Sequence, residues 1–352
     1  MNILFIANHL NVGGVTSYLY TLSGGLKQKG HNIYLASSGG ELTEKFITSG
    51  IKHISVPLMT KNELSPKIIF SYFKLKKEVK KLNLDLVHSN SRTTQVLGNL
   101  LSRVFNIPHV FTCHGFFRPK LSRRLFPYWG QAVIAISREV KEHLIADLKL
   151  DAKNISVINN GIDTGNFGDF SARDNLRKDL GINDASLVGI IARLSDVKGH
   201  IYLIRAMRKV MSGEGEMKNA WIKEVDALAI KENVLFIPEA GNTRDMLAAM
   251  DVFVMPSLQE GLGLALMEAM AQGLAVVGSA VGGIKTLIQD RVNGLLVGPA
   301  DVEGLAQAVV ELLKDSKLRQ DLGIKARKFI TDNFSKERMV DQTQKVYKRC
   351  LE

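Results

Sequence analysis

The stretch from Asp251 to Ala271 constrains the fold more than any other part of this 352-residue chain. An apolar run, Asp251-Val252-Phe253-Val254-Met255, leads into Pro256-Ser257-Leu258-Gln259-Glu260-Gly261-Leu262-Gly263 and then into Leu264-Ala265-Leu266-Met267-Glu268-Ala269-Met270-Ala271. The pattern predicts a buried strand, a glycine-rich loop holding Glu260, and a helix carrying Glu268 about two turns in. Glycines in such a loop let backbone N–H groups approach an anion at the helix N-terminus. Glu260 and Glu268 then suit a ligand whose anionic centre lies between two hydroxyl-bearing parts.

The same alternation runs along the whole chain. Ile3–Ala7, Ile33–Ala36, Leu86–His88, His109–Thr112 and Ala132–Ile136 read as short buried strands, with helical patterns such as Val15–Lys29 between them. After a polar stretch around Thr164–Arg173 the pattern restarts, with strands at Leu187–Ile191, Val234–Ile237, Val252–Met255, Ala275–Val277 and Leu295–Val297. Strands alternating with helices imply parallel sheets covered on both faces. The expected fold class is α/β, as two doubly wound Rossmann-like domains in tandem.

Charge divides unevenly between the halves. Residues 1–170 carry 21 Lys/Arg against 11 Asp/Glu, whereas residues 171–352 carry 25 against 24. The excess therefore falls on the first half and points to an anionic partner there, such as a membrane surface or an anionic glycolipid. The segment Lys67–Lys81 holds six lysines and one glutamate. As a helix it places Ile68, Tyr72, Leu75 and Val79 on one face and Lys67, Lys74 and Lys81 opposite; such a helix either packs on its own sheet or meets an anionic bilayer as well. A second basic, aromatic segment is Phe116–Phe126. No nucleic-acid recognition motif accompanies the charge. Cys113 and Cys350 are the only cysteines, which fits a reducing cytosol. Met1–Ala7 lacks a basic leader and reads as a first strand, so the expected location is cytoplasmic, either free or peripheral on the inner face of the membrane. The apolar stretch Leu262–Ile284 reads as helix, turn and strand rather than a membrane span.

Several motifs occur together and in order: Gly13-Gly14 after the first strand, Thr112-Cys113-His114-Gly115, Val157-Ile158-Asn159-Asn160-Gly161-Ile162-Asp163, Arg193 with Lys198, and Glu260 with Glu268. This set resembles the retaining glycosyltransferases of family four (glycosyl transferases group one), whose fold is GT-B: two Rossmann-like domains flanking a cleft, with a C-terminal crossover helix. The resemblance implies an acceptor-side domain at 1–168, a nucleotide-sugar domain at 171–333, and a helix at 334–352 returning to the first. It implies transfer of a hexose-type sugar from a nucleotide-diphosphate sugar, such as a UDP-sugar, to a glycan or glycolipid acceptor, for example in lipopolysaccharide core biosynthesis. By the same resemblance His114, Glu260, Arg193 and Lys198 are catalytic, and Gly13, Gly14, Gly213, Gly261, Leu262, Gly263, Leu264 and Glu268 hold the donor. No cofactor or metal is expected, since no D-x-D motif occurs and Arg193 and Lys198 would take the cation's place beside a diphosphate.

Two departures stand out. Threonine (Thr286) follows Gly282-Gly283 where the family usually has glutamate. The connection Val210–Met217 is short: either a poor strand forms from residues such as Met207–Met211, or the second sheet lacks a member. The latter leaves a catalytically impaired, membrane-associated or scaffold protein as an alternative; a sugar-nucleotide epimerase is another.

Overall fold

The computed structural model describes residues 1–60, 62–117, 128–182, 184–206, 211–212, 234–237 and 242–352, with the side chains of Met211 and Ser212 left aside. The chain forms two compact units. One comprises Met1–Gly161 and Lys336–Glu352, the other Ile162–Ser335. These units divide just ahead of the polar stretch at Thr164. Ile162 bridges to Ser335 and its N–H donates to the Phe334 carbonyl at 3.0 Å, which ties it to the second unit.

The first unit runs β1 (Asn2–Ile6), α1 (Gly14–Gln28), β2 (Asn32–Ser37), α2 (Thr43–Thr48), β3 (Lys52–Ser55), α3 (Pro66–Leu82), β4 (Leu86–Ser89), α4 (Arg92–Phe105), β5 (His109–Cys113), β6 (Ala132–Ala135), α5 (Arg138–Ala146) and β7 (Ile155–Val157). Its seven strands are parallel, in the order β3-β2-β1-β4-β5-β6-β7. The order reverses direction between β1 and β4, and ligands of open α/β sheets bind at such a switch point. β1 reads Ile3-Leu4-Phe5-Ile6 and all four are buried, as a strand covered on both faces requires. α1 buries Tyr18, Leu19, Leu22 and Leu26 at helical spacing. It ends at Gly30, whose φ of +82° suits glycine.

The second unit runs α6 (Arg173–Asp179), β8 (Val188–Gly189), α7 (His200–Ala206), β9 (Met211–Ser212), β10 (Phe236–Ile237), α8 (Thr243–Ala249), β11 (Val252–Met255), α9 (Leu264–Gln272), β12 (Ala275–Ser279), α10 (Ile284–Leu287), β13 (Leu295–Val297), α11 (Val302–Lys314) and α12 (Ser316–Asn333). Four strands form a parallel sheet in the order β13-β12-β11-β8, and β9 pairs in parallel with β10. A strand therefore does stand directly before Gly213, although only two residues long. Of the short connection, Val210 and 213–217 lie outside the described residues.

The last helix, α13 (Lys336–Leu351), belongs to the first unit. It buries Met339, Val340, Thr343, Val346 and Tyr347 in the core formed by α1 and the sheet. Gly25 on α1 permits this approach, because a Cβ there would lie 2.4 Å from a Val340 methyl.

Candidate active site

In the second unit the site is built from the start of β11. Asp251 accepts from Arg173 at 2.6 Å, from Arg177 at 3.3 Å and from the Leu187 N–H at 2.7 Å, which fixes where β11 begins. β11 then delivers the Pro256–Gly263 loop. Three contacts hold that loop. The Leu258 N–H donates to the Val197 carbonyl at 2.8 Å. Gly199, at φ +70°, lies against the Pro256 carbonyl so closely that a Cβ would come within 1.8 Å of the oxygen. Gly282, at φ +43°, lies against the Glu260 carbonyl so that a Cβ would come within 2.0 Å of its oxygen, and the Gly283 N–H donates to that same carbonyl at 3.1 Å. By sequence Gly282-Gly283 stand out only for the glutamate that does not follow them; their work in this fold is to seat the Glu260 loop.

This packing brings two of the expected residues into direct contact. Lys198 Nζ and Glu260 Oε2 form an ion pair, with side chains 19% and 13% exposed. Arg193, on the segment after β8, is exposed and makes no ion pair among the described residues. Gly261, Leu262 and Gly263 lead into α9, whose cap Gly263 has φ +96°. α9 has no capping side chain and no acid in its first turn, so its first N–H groups have no side-chain acceptor. With the helix starting at Leu264, Glu268 lies little more than one turn in, closer to that terminus than the sequence suggested. Glu268 is half-buried, and burial raises its carboxyl from 4.5 to about 7. It has no hydrogen-bond or ion-pair partner among the described residues.

Gly13, Gly14 and His114 belong to the first unit. Gly13 caps α1, and Gly14 is its first residue; neither a capping side chain nor a first-turn acid occupies that terminus. A Cβ at Gly13 would meet nothing within 4 Å, so the approach to these N–H groups is open. His114 follows β5 directly and is half-buried. Its Nε2 lies 3.3 Å from Asn90 Oδ1, and its ring meets the Tyr18 ring edge-on at 4.6 Å between centroids. Burial pulls its pKa down from 6.5 to about 3, so the imidazole is neutral near pH 7. Asn90 and Tyr18 are absent from the sequence reading. Asn90 had a signal available, since it follows β4 at the switch point. His88 is fully buried and His9 is exposed.

Gly213 and residues 118–127 of the second basic segment lie outside the described residues. Among the described residues, no group of three or more His, Cys, Asp or Glu side chains could hold a metal ion. No helix among them is long and apolar enough to cross a membrane.

Known proteins resemble this chain over both units. The family model "Glycosyltransferase Family 4" matches residues 12–166, and "Glycosyl transferases group 1" matches residues 172–329. An uncharacterized glycosyltransferase of Methanocaldococcus jannaschii is 26% identical, covering 97% of this chain and 95% of its own. The Escherichia coli UDP-Gal:alpha-D-GlcNAc-diphosphoundecaprenol alpha-1,3-galactosyltransferase is 28% identical, covering 89% of this chain and 87% of its own. Among solved structures, Anabaena Alr3699/HepE in complex with UDP-glucose superimposes with a TM-score of 0.88 at 22% identity, covering 99% of this chain and all of that one. Each of the two units thus carries one of the two tandem family domains in the expected order, and the chain belongs to the family 4, group 1 glycosyltransferases of GT-B fold.

Proposed function

We propose that this glycosyltransferase moves a hexose from a UDP-sugar to a lipid-linked glycan acceptor, with retention of anomeric configuration and without a metal ion. The observation that carries the reading is the arrangement around α9. A carboxylate (Glu260), an uncapped helix N-terminus and an unpartnered carboxyl (Glu268) follow one another along one strand–loop–helix unit, and Lys198, from the segment after β8, pairs with the first of them. A diphosphate suits the helix N-terminus and the cations Lys198 and Arg193. The ribose hydroxyls suit Glu268 in its ionised form, and the sugar hydroxyls suit Glu260. The E. coli relative's name specifies a UDP-galactose donor and a diphosphoundecaprenol-linked acceptor, and the Anabaena protein was solved with UDP-glucose. We carry these classes, not the particular sugars, to this chain.

In the proposed step an acceptor hydroxyl oxygen bonds to the anomeric carbon on the face from which the diphosphate departs. The bond from that carbon to the β-phosphate oxygen breaks, and its electron pair stays on the diphosphate. The departing oxygen takes the hydroxyl proton. Lys198, Arg193 and the α9 N–H groups act by stabilising charge that grows on the diphosphate as the bond breaks. Gly13 and Gly14 would add N–H donors to the diphosphate. His114, being neutral, serves as a hydrogen-bonding partner to the transferred sugar rather than as a charged acid. The test is incubation with a panel of UDP-α-hexoses and a polyprenyl-diphosphate-linked saccharide. The expected product is an α-glycoside; a β-glycoside rejects retention, and no transfer from any donor rejects the UDP-hexose and lipid-linked acceptor assignment.

The acceptor's lipid would bring the first unit to a bilayer. α3 supports this. Its buried face holds Ile68, Ser71, Leu75 and Val79, with Tyr72 half-buried beside them. On the opposite face Ile69, Phe70 and Phe73 are 56%, 65% and 57% exposed, followed by Lys74, Lys77, Lys80 and Lys81. Large apolar side chains next to a lysine cluster suit an interface with anionic headgroups.

A further inference from the structure

A chain of hydrogen-bonded polar side chains runs through the apolar core between α1, α13 and the first sheet. The Tyr347 hydroxyl, on α13, bonds His88 Nδ1 on β4. His88 Nε2 lies 2.7 Å from Thr112 Oγ1 on β5, and Thr112 Oγ1 lies 3.1 Å from the Tyr18 hydroxyl on α1. Tyr18 in turn carries the edge-on contact with the His114 ring. Tyr347, His88 and Thr112 are fully buried and Tyr18 is 2% exposed. Their neighbours are Phe5, Leu22, Val110, Val346 and other apolar residues of the same cluster.

A core built for stability alone would hold apolar side chains here, because buried polar networks cost desolvation that well-packed hydrophobic residues avoid. The chain is also ordered in its protons. Burial holds both histidines neutral and both tyrosine hydroxyls protonated near pH 7. If Tyr347 donates to His88 Nδ1, then His88 Nε2–H donates to Thr112, whose hydroxyl donates to Tyr18. The reverse direction is equally matched, so every link has one donor and one acceptor. Thr112 lies on β5 and His114 just past its end, and Tyr18 touches both, through its hydroxyl and its ring respectively. His114 is thus gripped by Tyr18, which the chain fixes, and by Asn90 from the end of β4.

We propose that this buried chain is a positioning device for His114, with Tyr347 as its distal anchor, so that the last helix of the protein holds the histidine in its working orientation. Tyr347, His88 and Thr112 are positioning residues; they do not touch substrate. The inference rests on the transferase reading above.

The test uses the full chain and its Tyr347→Phe, Thr112→Val and Thr112→Ser variants. Val346→Ala on the same helix serves as a control that loosens the surrounding core while leaving every hydrogen-bonding group of the chain in place. Transfer kinetics, thermal unfolding and the imidazole nitrogen resonances of His114 are measured. Tyr347→Phe and Thr112→Val are expected to lower kcat about tenfold with the donor KM little changed, since misplacing a reacting-site group by a fraction of an ångström suffices for that loss. Both should shift or broaden the His114 resonances. Thr112→Ser, which keeps the hydroxyl, should retain turnover, and Val346→Ala should lower Tm while kcat stays near wild type. The proposal is overturned if Thr112→Val turns over like Thr112→Ser, or if Val346→Ala loses kcat as Tyr347→Phe does. The threonine pair decides the matter even if Tyr347→Phe fails to fold. A wild type that transfers no sugar overturns the transferase reading and this proposal with it, whereas active wild type with indifferent variants overturns the positioning role alone.

Discussion

At the scale of single residues, the raised carboxyl of Glu268 has two consequences that pull in opposite directions. Its folded-state pKa of about 7 lies above the unfolded value of 4.5, so the protonated form is favoured by folding. The associated stability is fully present below pH 4.5 and is lost as pH rises through about 7. Because the side chain is half-buried, the loss is about 1–3 kcal/mol, a discounted conversion of the shift. Glu268→Gln should remove this slope, which chemical denaturation at pH 5 and pH 8 will measure. The same substitution should weaken donor binding by about 1.5–3 kcal/mol at pH 8, where wild type offers an ionised acceptor to the ribose. Wild-type affinity for the intact UDP-sugar should rise with pH through about 7, whereas that of Glu268→Gln should stay flat; parallel calorimetric curves would remove Glu268 from the ribose contact. Lys198 presents a different balance. It pairs with Glu260, and Lys198→Ala leaves that carboxylate without its cation. Lys198→Ala and Arg193→Ala should each lower kcat by more than they weaken donor binding, because the diphosphate gains charge in the transition state. Chelation by EDTA should leave turnover intact. Initial rates against donor concentration separate the two effects.

At the scale of elements, α3 shows how a helix can satisfy a core and still present a second apolar face. The spacing of Ile68, Leu75 and Val79 was legible because a 3.6-residue period puts them together. The exposure of Ile69, Phe70 and Phe73 was not, since nothing in the local pattern says that no other element covers that side. Full-length protein should therefore bind anionic vesicles in a salt-sensitive way. Replacing Lys74, Lys76, Lys77 and Lys81 by glutamine should weaken binding by about 1 kcal/mol per lysine near the surface. Replacing Phe70 and Phe73 by serine should weaken it at high salt as well, where charge is screened. Equal sedimentation with neutral and anionic vesicles would leave α3 a solvated helix face. Strands show the same division. β1 and β11 were legible as continuous apolar runs. β3, Lys52–Ser55, was missed, because an edge strand that pairs on one side and stays partly exposed carries no such run. β8, expected over Leu187–Ile191, pairs with β11 over Val188–Gly189.

At the scale of the whole molecule, the C-terminal seventeen residues, Lys336–Glu352, belong to the unit that begins the chain. Deleting them would expose the apolar side of α1 and leave His88 Nδ1 without its partner. The truncated protein should aggregate or lose cooperative unfolding of the first unit, while the second retains its own transition; differential scanning calorimetry of the two forms distinguishes these. The sequence by itself determined the α/β class, the two-unit plan, the glycine loops and the order of the carboxylates and cations. These follow from period, from backbone conformations that only glycine adopts easily, and from residue order, all of which are local. Only the tertiary structure decided that Lys198 meets Glu260, that Gly282 and Gly283 seat the Glu260 loop, and that burial keeps His114 neutral and raises the Glu268 carboxyl. It also decided that Tyr347 reaches His88 from 259 residues away. Those facts depend on desolvation and on contacts between distant segments, and no window of sequence contains either.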